Sequence, residues 1–349
     1  MSKNLKKSIL VLFVLMISLV LSAGGAVNAA DRISDGVVAA AAADAKASAS
    51  GETGGMVLKV ISYNVAAGQG VENDSKDYVG TKYLQQVVKL MDAEKADLIG
   101  MQEVDDNRFT SRFTNQAQFI SSRLGMHCYW QPASAVGPFG KINKHGNSVM
   151  SKHKFLKTEC VKYVSKGKKS DGGASTETRA FTYALVEIKG VKVNFISTHL
   201  GFPEYARVGQ AKELIGYIKK LKGPVVVVGD FNTTQGSESY KVMTSILSDS
   251  YAVAASKGAS ATSPSEAPKN RIDFVFFSKG DFICEKAYAG GDTFKNASDH
   301  RPFFAFLKLK TGADDAAAKT ASEGGQEGAG ADGDGAKILD LQKSLFKAK

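Results

Sequence analysis

Asp230 and Asn232 bracket Phe231 directly behind the apolar run Val225-Val226-Val227-Val228-Gly229. Alternation at the end of a strand turns both polar side chains to one side, and glycine there lets the backbone turn closely beneath a substrate. An aspartate so placed can deprotonate or orient a water, while the asparagine can hold that water or a phosphoryl oxygen. The same device, polar groups where a buried strand ends, recurs along the chain. It is found at Ser62-Tyr63-Asn64-Val65, Gln102-Glu103, Gly146-Asn147-Ser148-Val149-Met150-Ser151, Glu177-Thr178-Arg179, Ser197-Thr198-His199-Leu200, Arg271-Ile272-Asp273-Phe274 and Ser298-Asp299-His300-Arg301-Pro302. Together these supply carboxylates and amides for a hard metal ion, two imidazoles, and arginine for an anionic substrate. That inventory suits phosphoester hydrolysis.

Glu103 follows an apolar strand and is the best candidate for a magnesium ligand, since Mg²⁺ prefers oxygen, keeps several waters and is held by one or two carboxylates. Asn64 could add a carbonyl oxygen or orient the phosphate. His199 and His300 stand at strand ends among polar neighbours. His300 follows Asp299, and an Asp–imidazole pair fixes a tautomer and favours the charged ring, which suits stabilising negative charge in a transition state. Asp273 lies between Ile272 and Phe274, where a buried carboxylate is costly unless paired, and an imidazole is its natural partner. His127, His145 and His153 sit beside loops or lysines and read as surface residues.

These positions require elements that bring them together. Short runs rich in β-branched and aromatic residues predict buried strands over 57–63, 97–102, 181–188, 191–197, 225–229, 272–277 and 303–309. Amphipathic patterns predict helices around 83–91, 113–124 and 204–221, the last stopped by Gly223-Pro224. Lys189-Gly190 joins two strands as a tight hairpin, so the sheets are mixed. Two mixed sheets packed face to face, with helices outside each, bury the strands expected here.

The ordered Asn, Gln-Glu, Ser-Thr-His-Leu, Gly-Asp-Phe-Asn, Ile-Asp and Ser-Asp-His-Arg-Pro signatures resemble the endonuclease/exonuclease/phosphatase superfamily of metal-dependent phosphohydrolases, over roughly residues 56–310. The resemblance implies an α/β fold, a four-layer deoxyribonuclease I-like sandwich with the site where the two sheets open. It implies Asn64 and Glu103 as the metal-site pair, Asp230 with Asn232 as the pair that activates and positions the attacking water, and His300 as the imidazole on the scissile phosphate. Asp273 or Asp299 would support a histidine or a second metal, His199 would be a second catalytic histidine, and Arg179 would meet phosphate oxygens. Asn64-Val65-Ala66-Ala67 lacks the second carboxylate of apurinic repair endonucleases, and no Pro-Ala-Trp-Cys-Asp-Arg segment of the inositol 5-phosphatases is present.

The chain has 349 residues and divides by composition. Residues 1–30 carry Lys3, Lys6 and Lys7 before an uncharged stretch ending in Val27-Asn28-Ala29, which reads as a signal peptide, with a retained membrane anchor as the alternative. Residues 31–55 read as a flexible linker, 56–310 as the catalytic domain and 311–349 as a low-complexity tail. The formal charge is +10; the leader holds +3 and the linker and tail −2 each, which leaves +11 in 56–310. A domain this basic is drawn to polyanions: nucleic acid, anionic headgroups or cell-wall polymer. Cys128, Cys160 and Cys284 are too few and too scattered for a disulfide framework or a zinc cluster, and read as small buried apolar residues.

The expectation is an exported monomeric phosphodiesterase using Mg²⁺, with Mn²⁺ or Ca²⁺ as substitutes, that acts on nucleic acid and needs no protein partner. The Lys166-Gly167-Lys168-Lys169 loop ahead of Arg179 would extend its phosphate-binding surface. A phospholipase C-type enzyme at a membrane surface, such as a sphingomyelinase, is the alternative, and a phosphomonoesterase stays open. A non-enzymatic binding module is disfavoured because each polar position of an active site is filled.

Overall fold

The computed structural model describes residues 56–71, 81–108, 111, 113–136, 142–172 and 176–310. The first half contains β1 (Val57–Asn64), α1 (Lys82–Glu94), β2 (Leu98–Asp106), α2 (Gln116–Leu124), β3 (His127–Val136), β4 (Ile142–Ser151), β5 (Phe155–Lys162), β6 (Ala180–Ile188) and β7 (Val191–His199). Beyond them lie α3 (Glu204–Ile218), β8 (Val225–Asp230), α4 (Glu238–Thr244), β9 (Leu247–Asp249), α5 (Ser250–Val253), β10 (Ser256–Lys257), β11 (Asp273–Ser278), β12 (Phe282–Ala289) and β13 (Phe303–Leu309). The strands form a seven-stranded sheet, ordered β10-β12-β13-β1-β2-β4-β3, and a six-stranded sheet, ordered β5-β6-β7-β8-β11-β9. Both are mixed: β1 and β2 run parallel in the first, β7 and β8 in the second, amid antiparallel neighbours.

Period-two alternation divides the strands among three cores. Leu58 and Val60 of β1, Val193 and Phe195 of β7, Val226 and Val228 of β8, and Val275 and Phe277 of β11 meet in one cluster between the sheets. Their sequence neighbours turn outward. Ile61 and Tyr63 pack with Leu84, Val87 and Met91 of α1 on one side, and Val225 and Val227 with Leu214, Ile215 and Ile218 of α3 on the other. The layers are therefore helix, sheet, sheet, helix, the deoxyribonuclease I-like sandwich.

Several strands run slightly further than sequence patterning predicts. Three of these extensions are functional: β1 ends on Asn64, β7 on His199 and β8 on Asp230, while β11 begins on Asp273, one residue inside its predicted start. Each carries the parity of inward-facing residues before or after it, so all four side chains enter the space between the sheets. Sequence patterning places Tyr129 and Trp130 in an apparent strand, which is β3, but does not mark β4, β5 and β12 as strands. β5 is a sheet edge of mostly half-buried residues, and β12 breaks phase at a bulge between Cys284 and Lys286, so neither shows clean alternation. Lys189 and Gly190, at φ 48° and 80°, make the expected hairpin between β6 and β7.

Only Cys284 is fully buried; Cys128 and Cys160 are half-buried, a correction to the expectation of three core residues. Among the described residues no helix is long and apolar enough to cross a membrane. The leader, the linker and the tail lie outside the described residues.

Candidate active site

Asp230 is the centre of the site. It is buried, its Oδ1 accepts from the Asn232 backbone N–H at 2.8 Å, and its Oδ2 accepts from Asn64 Nδ2 at 3.0 Å. The same Asn64 amide donates to Glu103 Oε1 at 3.0 Å, so one side chain of the seven-stranded sheet ties two carboxylates from opposite sheets. Asn64 Oδ1 accepts from the Ala66 N–H at 3.0 Å. Burial raises the Asp230 carboxyl well above its ordinary value, Asp273 adds to this, and His300, Asn232 and Asn64 oppose it.

Glu103 reaches the cleft through a β-bulge. In β2, Met101 pairs with Ser148 of β4 and Val104 with Gly146, leaving one extra residue in β2, and Glu103 takes φ 56°. A non-glycine residue at positive φ is uncommon and stores about 1–3 kcal/mol of strain, which the surrounding structure must hold. Asn232, at φ 49°, is a second such position beside Asp230.

His199 Nε2 lies 2.9 Å from Asn232 Nδ2 and 3.4 Å from Asp230 Oδ2. Asn232 commits its amide group to His199 and to the Leu200 carbonyl at 2.8 Å, so it orients an imidazole rather than reaching directly for phosphate. Burial, with the positive charges of Arg179, His145 and His300, holds the His199 ring well below its ordinary value. It is neutral.

His300 is the opposite. Its Nδ1 lies 2.8 Å from Asp273 Oδ2 and its Nε2 3.7 Å from Asp230 Oδ2. Burial pulls the ring down, but Asp273, Asp230 and Asp299 together push it well above its ordinary value. Its carboxylate partner is thus Asp273, not its neighbour Asp299. Ser298 Oγ donates to the Asn64 carbonyl at 2.7 Å and accepts from the His300 N–H at 3.2 Å, which fixes the turn carrying His300 against β1. Partial burial, with Glu103 and Asp273 nearby, raises the Asp299 carboxyl against the pull of His300.

Among the described residues, two sets of acidic and histidine side chains bring their ligand atoms within 4.8 Å of one another: Glu103, His199 and Asp230, and Asp230, Asp273 and His300. The first supplies two carboxylates, the donors a hard divalent cation prefers, beside a neutral imidazole, which suits softer transition metals better. Glu103, assigned to a metal from sequence, belongs to it; Asp299 belongs to neither, and Asn64 turns its amide N–H, not its oxygen, to the carboxylates.

Arg179, just ahead of β6, is buried, and its Nη2 donates to Glu177 Oε2 at 2.8 Å while its Nε has no partner. A buried guanidinium N–H left without an acceptor costs about 1–3 kcal/mol, and an incoming anionic oxygen would relieve that cost. His145 corrects the sequence reading. It is not a surface residue: its Nδ1 lies 2.7 Å from Asp105 Oδ1, and Asp105 is fully buried. The signal is the phase of β4, in which Val149 and Asn147 share the parity of His145, but only a strand assignment over 142–151 exposes it. His127 is exposed, and His153 is half-buried.

A family model described as the Endonuclease/Exonuclease/phosphatase family matches residues 61–300. Among solved structures, an endonuclease/exonuclease/phosphatase from Bacteroides vulgatus superposes with a TM-score of 0.60 at 22% identity, over 73% of this chain and 100% of its own. The mannosyl-6-phosphatase of Bacteroides thetaiotaomicron gives 0.58 at 21% identity, over 73% and 100%. The human Nocturnin catalytic domain with bound sulfate gives 0.54 at 18%, over 73% and 94%. No curated protein sequence matches the chain.

Proposed function

Because the chain belongs to the endonuclease/exonuclease/phosphatase family of phosphoester hydrolases, we propose that it is an exported, magnesium-dependent phosphodiesterase that cleaves nucleic acid by attack of a water on phosphorus. The observation that carries this is the meeting of Asp230 with Asn64, Glu103, His199 and His300 at one point between the sheets.

Glu103 would hold the cation, which when bound supplies charge stabilisation at the phosphoryl oxygens, and Asp230 stands beside it to serve the water. Asp230, whose burial moves it toward neutral pH, accepts the proton of the attacking water. His300, held charged by Asp273, faces the same point and donates to a phosphoryl oxygen, and the unpartnered Nε of Arg179 takes another. His199, neutral and tethered by Asn232, keeps the water and Asp230 aligned.

Nucleic acid is favoured by the +11 charge of residues 56–310 and by the exposed Lys166, Lys168 and Lys169, which precede Arg179 in the chain. A second reading, hydrolysis of phospholipid headgroup diesters, has one observation behind it. Val164 and Phe202 are 86% and 42% exposed, beside those lysines and three residues after His199 respectively, as an interface-seeking enzyme requires. The test is a panel of DNA, RNA, sphingomyelin, phosphatidylinositol and phosphate monoesters with Mg²⁺, Mn²⁺ or Ca²⁺, run on the wild type and on Asp230→Asn. DNA or RNA should be cleaved, chelation should abolish cleavage, and Asp230→Asn should lower turnover about 10²- to 10⁴-fold with unfolding nearly unchanged. Full activity in excess chelator would refute the mechanism, and selective cleavage of sphingomyelin would move the assignment to lipid.

A further inference from the structure

The cleft contains a second carboxylate–imidazole pair. His145 of β4 and Asp105 of β2 are cross-strand partners, and His145 Nδ1 lies 2.7 Å from Asp105 Oδ1. Arg108 Nη1 donates to the same oxygen at 3.1 Å, while Asp105 Oδ2 is buried without a partner. The Asp105 backbone N–H is held by Gln116 Oε1 at 2.9 Å, and Gln116 in turn donates to the Ala67 carbonyl. This is not the environment of a surface histidine. A carboxylate is buried, its backbone is pinned, and a cation balances it, all behind one nitrogen of one ring.

Strand phase decides where that ring faces. Val149 of β4 lies in the core between the sheets, so Asn147 and His145 point the same way, and Asn147 Nδ2 indeed donates across to the Ala180 carbonyl, next to Arg179. In β2 the bulge at Glu103 reverses the alternation: Val104 packs outward with the α1 core and Asp105 turns inward. Both members of the pair therefore enter the cleft that holds His199 and Asp230. His145 is also close enough to His199 for its charge to depress that ring.

The cleft is thus built symmetrically in chemistry. His300 with Asp273 stands on one side of neutral His199, and His145 with Asp105 stands on the other. His300 Nε2 faces Asp230, and His199 Nε2 is occupied by the Asn232 amide, so both are engaged at the Asp230 end of the cleft. With Nδ1 engaged by Asp105, Nε2 is the only nitrogen of His145 that can meet substrate.

Resting on the phosphodiesterase assignment, we infer that His145 is a catalytic residue whose Nε2 donates a hydrogen bond to the leaving-group oxygen, with Asp105 and Arg108 as positioning residues. The bond stabilises negative charge that gathers on that oxygen as the phosphorus–oxygen bond lengthens. Its value depends on the leaving group: an alkoxide needs it, whereas a nitrophenolate carries its own charge. That dependence separates a contact at the leaving oxygen from one at the phosphoryl oxygens.

The experiment compares two diesters, a DNA oligonucleotide and bis(p-nitrophenyl) phosphate, with wild type, His145→Ala, His145→Gln, Asp105→Asn and His300→Ala in the same divalent metal. His145→Ala should lower kcat on DNA by about 10²-fold, the lower range for a positioned proton donor, and stay within about threefold on the nitrophenyl diester. His145→Gln, which retains a donor, should recover part of the loss, Asp105→Asn should fall between, and His300→Ala should lose both substrates alike. Thermal unfolding of each variant separates this from misfolding, and His145→Gln decides the matter if Asp105→Asn does not fold. Equal losses on both substrates, or no loss on DNA, with an active wild type overturn the role of His145 alone. A wild type inactive on both diesters overturns the phosphodiesterase assignment and this inference with it.

Discussion

His199 is the residue on which folding and chemistry pull apart. In the unfolded chain a histidine takes up a proton near pH 6.5, but the folded ring resists it because of burial and the charges of Arg179, His145 and His300. Below pH 6.5 the unfolded state therefore binds more protons than the folded state, and stability falls with pH until the folded ring itself charges. His300 acts with the other sign: its raised value contributes stability that is complete below pH 6.5 and is lost as pH rises through its folded value. Replacing His199 by Gln should accordingly reduce the drop in thermal midpoint between pH 7.5 and pH 5.5, measured at fixed ionic strength. A drop as large as that of the wild type would show that His199 is not held neutral. At this scale the sequence reveals which side chains matter more readily than whom they touch. Strand ends mark His199, Asp230 and Asp273, but the partner of His300 depends on β11 lying next to β8 with Asp273 opposite Asp230, and adjacency in sequence points instead to Asp299.

The elements show why the two sheets can bring these side chains so near. Gly100 of β2 faces the opposing sheet, and a Cβ there would stand 2.1 Å from Val228 Cγ2 and 3.0 Å from Ser197 Cβ. A methyl group has no room unless the sheets part. Gly100→Ala should therefore destabilise by about 1–3 kcal/mol, the usual cost of overpacking a core, seen as a lower denaturant midpoint, and it should weaken the Gln102–Ser197 hydrogen bond that spans the sheets just above it. A midpoint equal to the wild type would mean that this approach is not under constraint. The order of helices and apolar strands is legible in the sequence because burial on two faces imposes clean patterns. The bulge in β2 is not, since one extra residue at Glu103 leaves no compositional mark yet reverses the facing of Val104 and Asp105, and β4 and β5 hide behind mixed polarity.

For the whole molecule, the proposal of export rests on residues 1–30, where the lysines, the apolar stretch and Val27-Asn28-Ala29 resemble a signal-peptidase pattern. N-terminal sequencing of the exported protein should find Ala30 or Asp31 first, and a membrane-held form retaining Met1 would point to an anchor. The layered architecture adds a matter of timing. The seven-stranded sheet takes β1 and β2 from early in the domain and β12 and β13 from its end, enclosing in sequence the whole six-stranded sheet. β13 is the strand that pairs with β1, and His300, which answers Asp273, stands three residues before it. A growing chain, or one still threading through an export channel, thus has no assembled hydrolytic centre until its final strand arrives. On the proposed reading of nucleic acid as substrate, the nucleic acid of the cell that makes the enzyme would be protected by the order of synthesis itself.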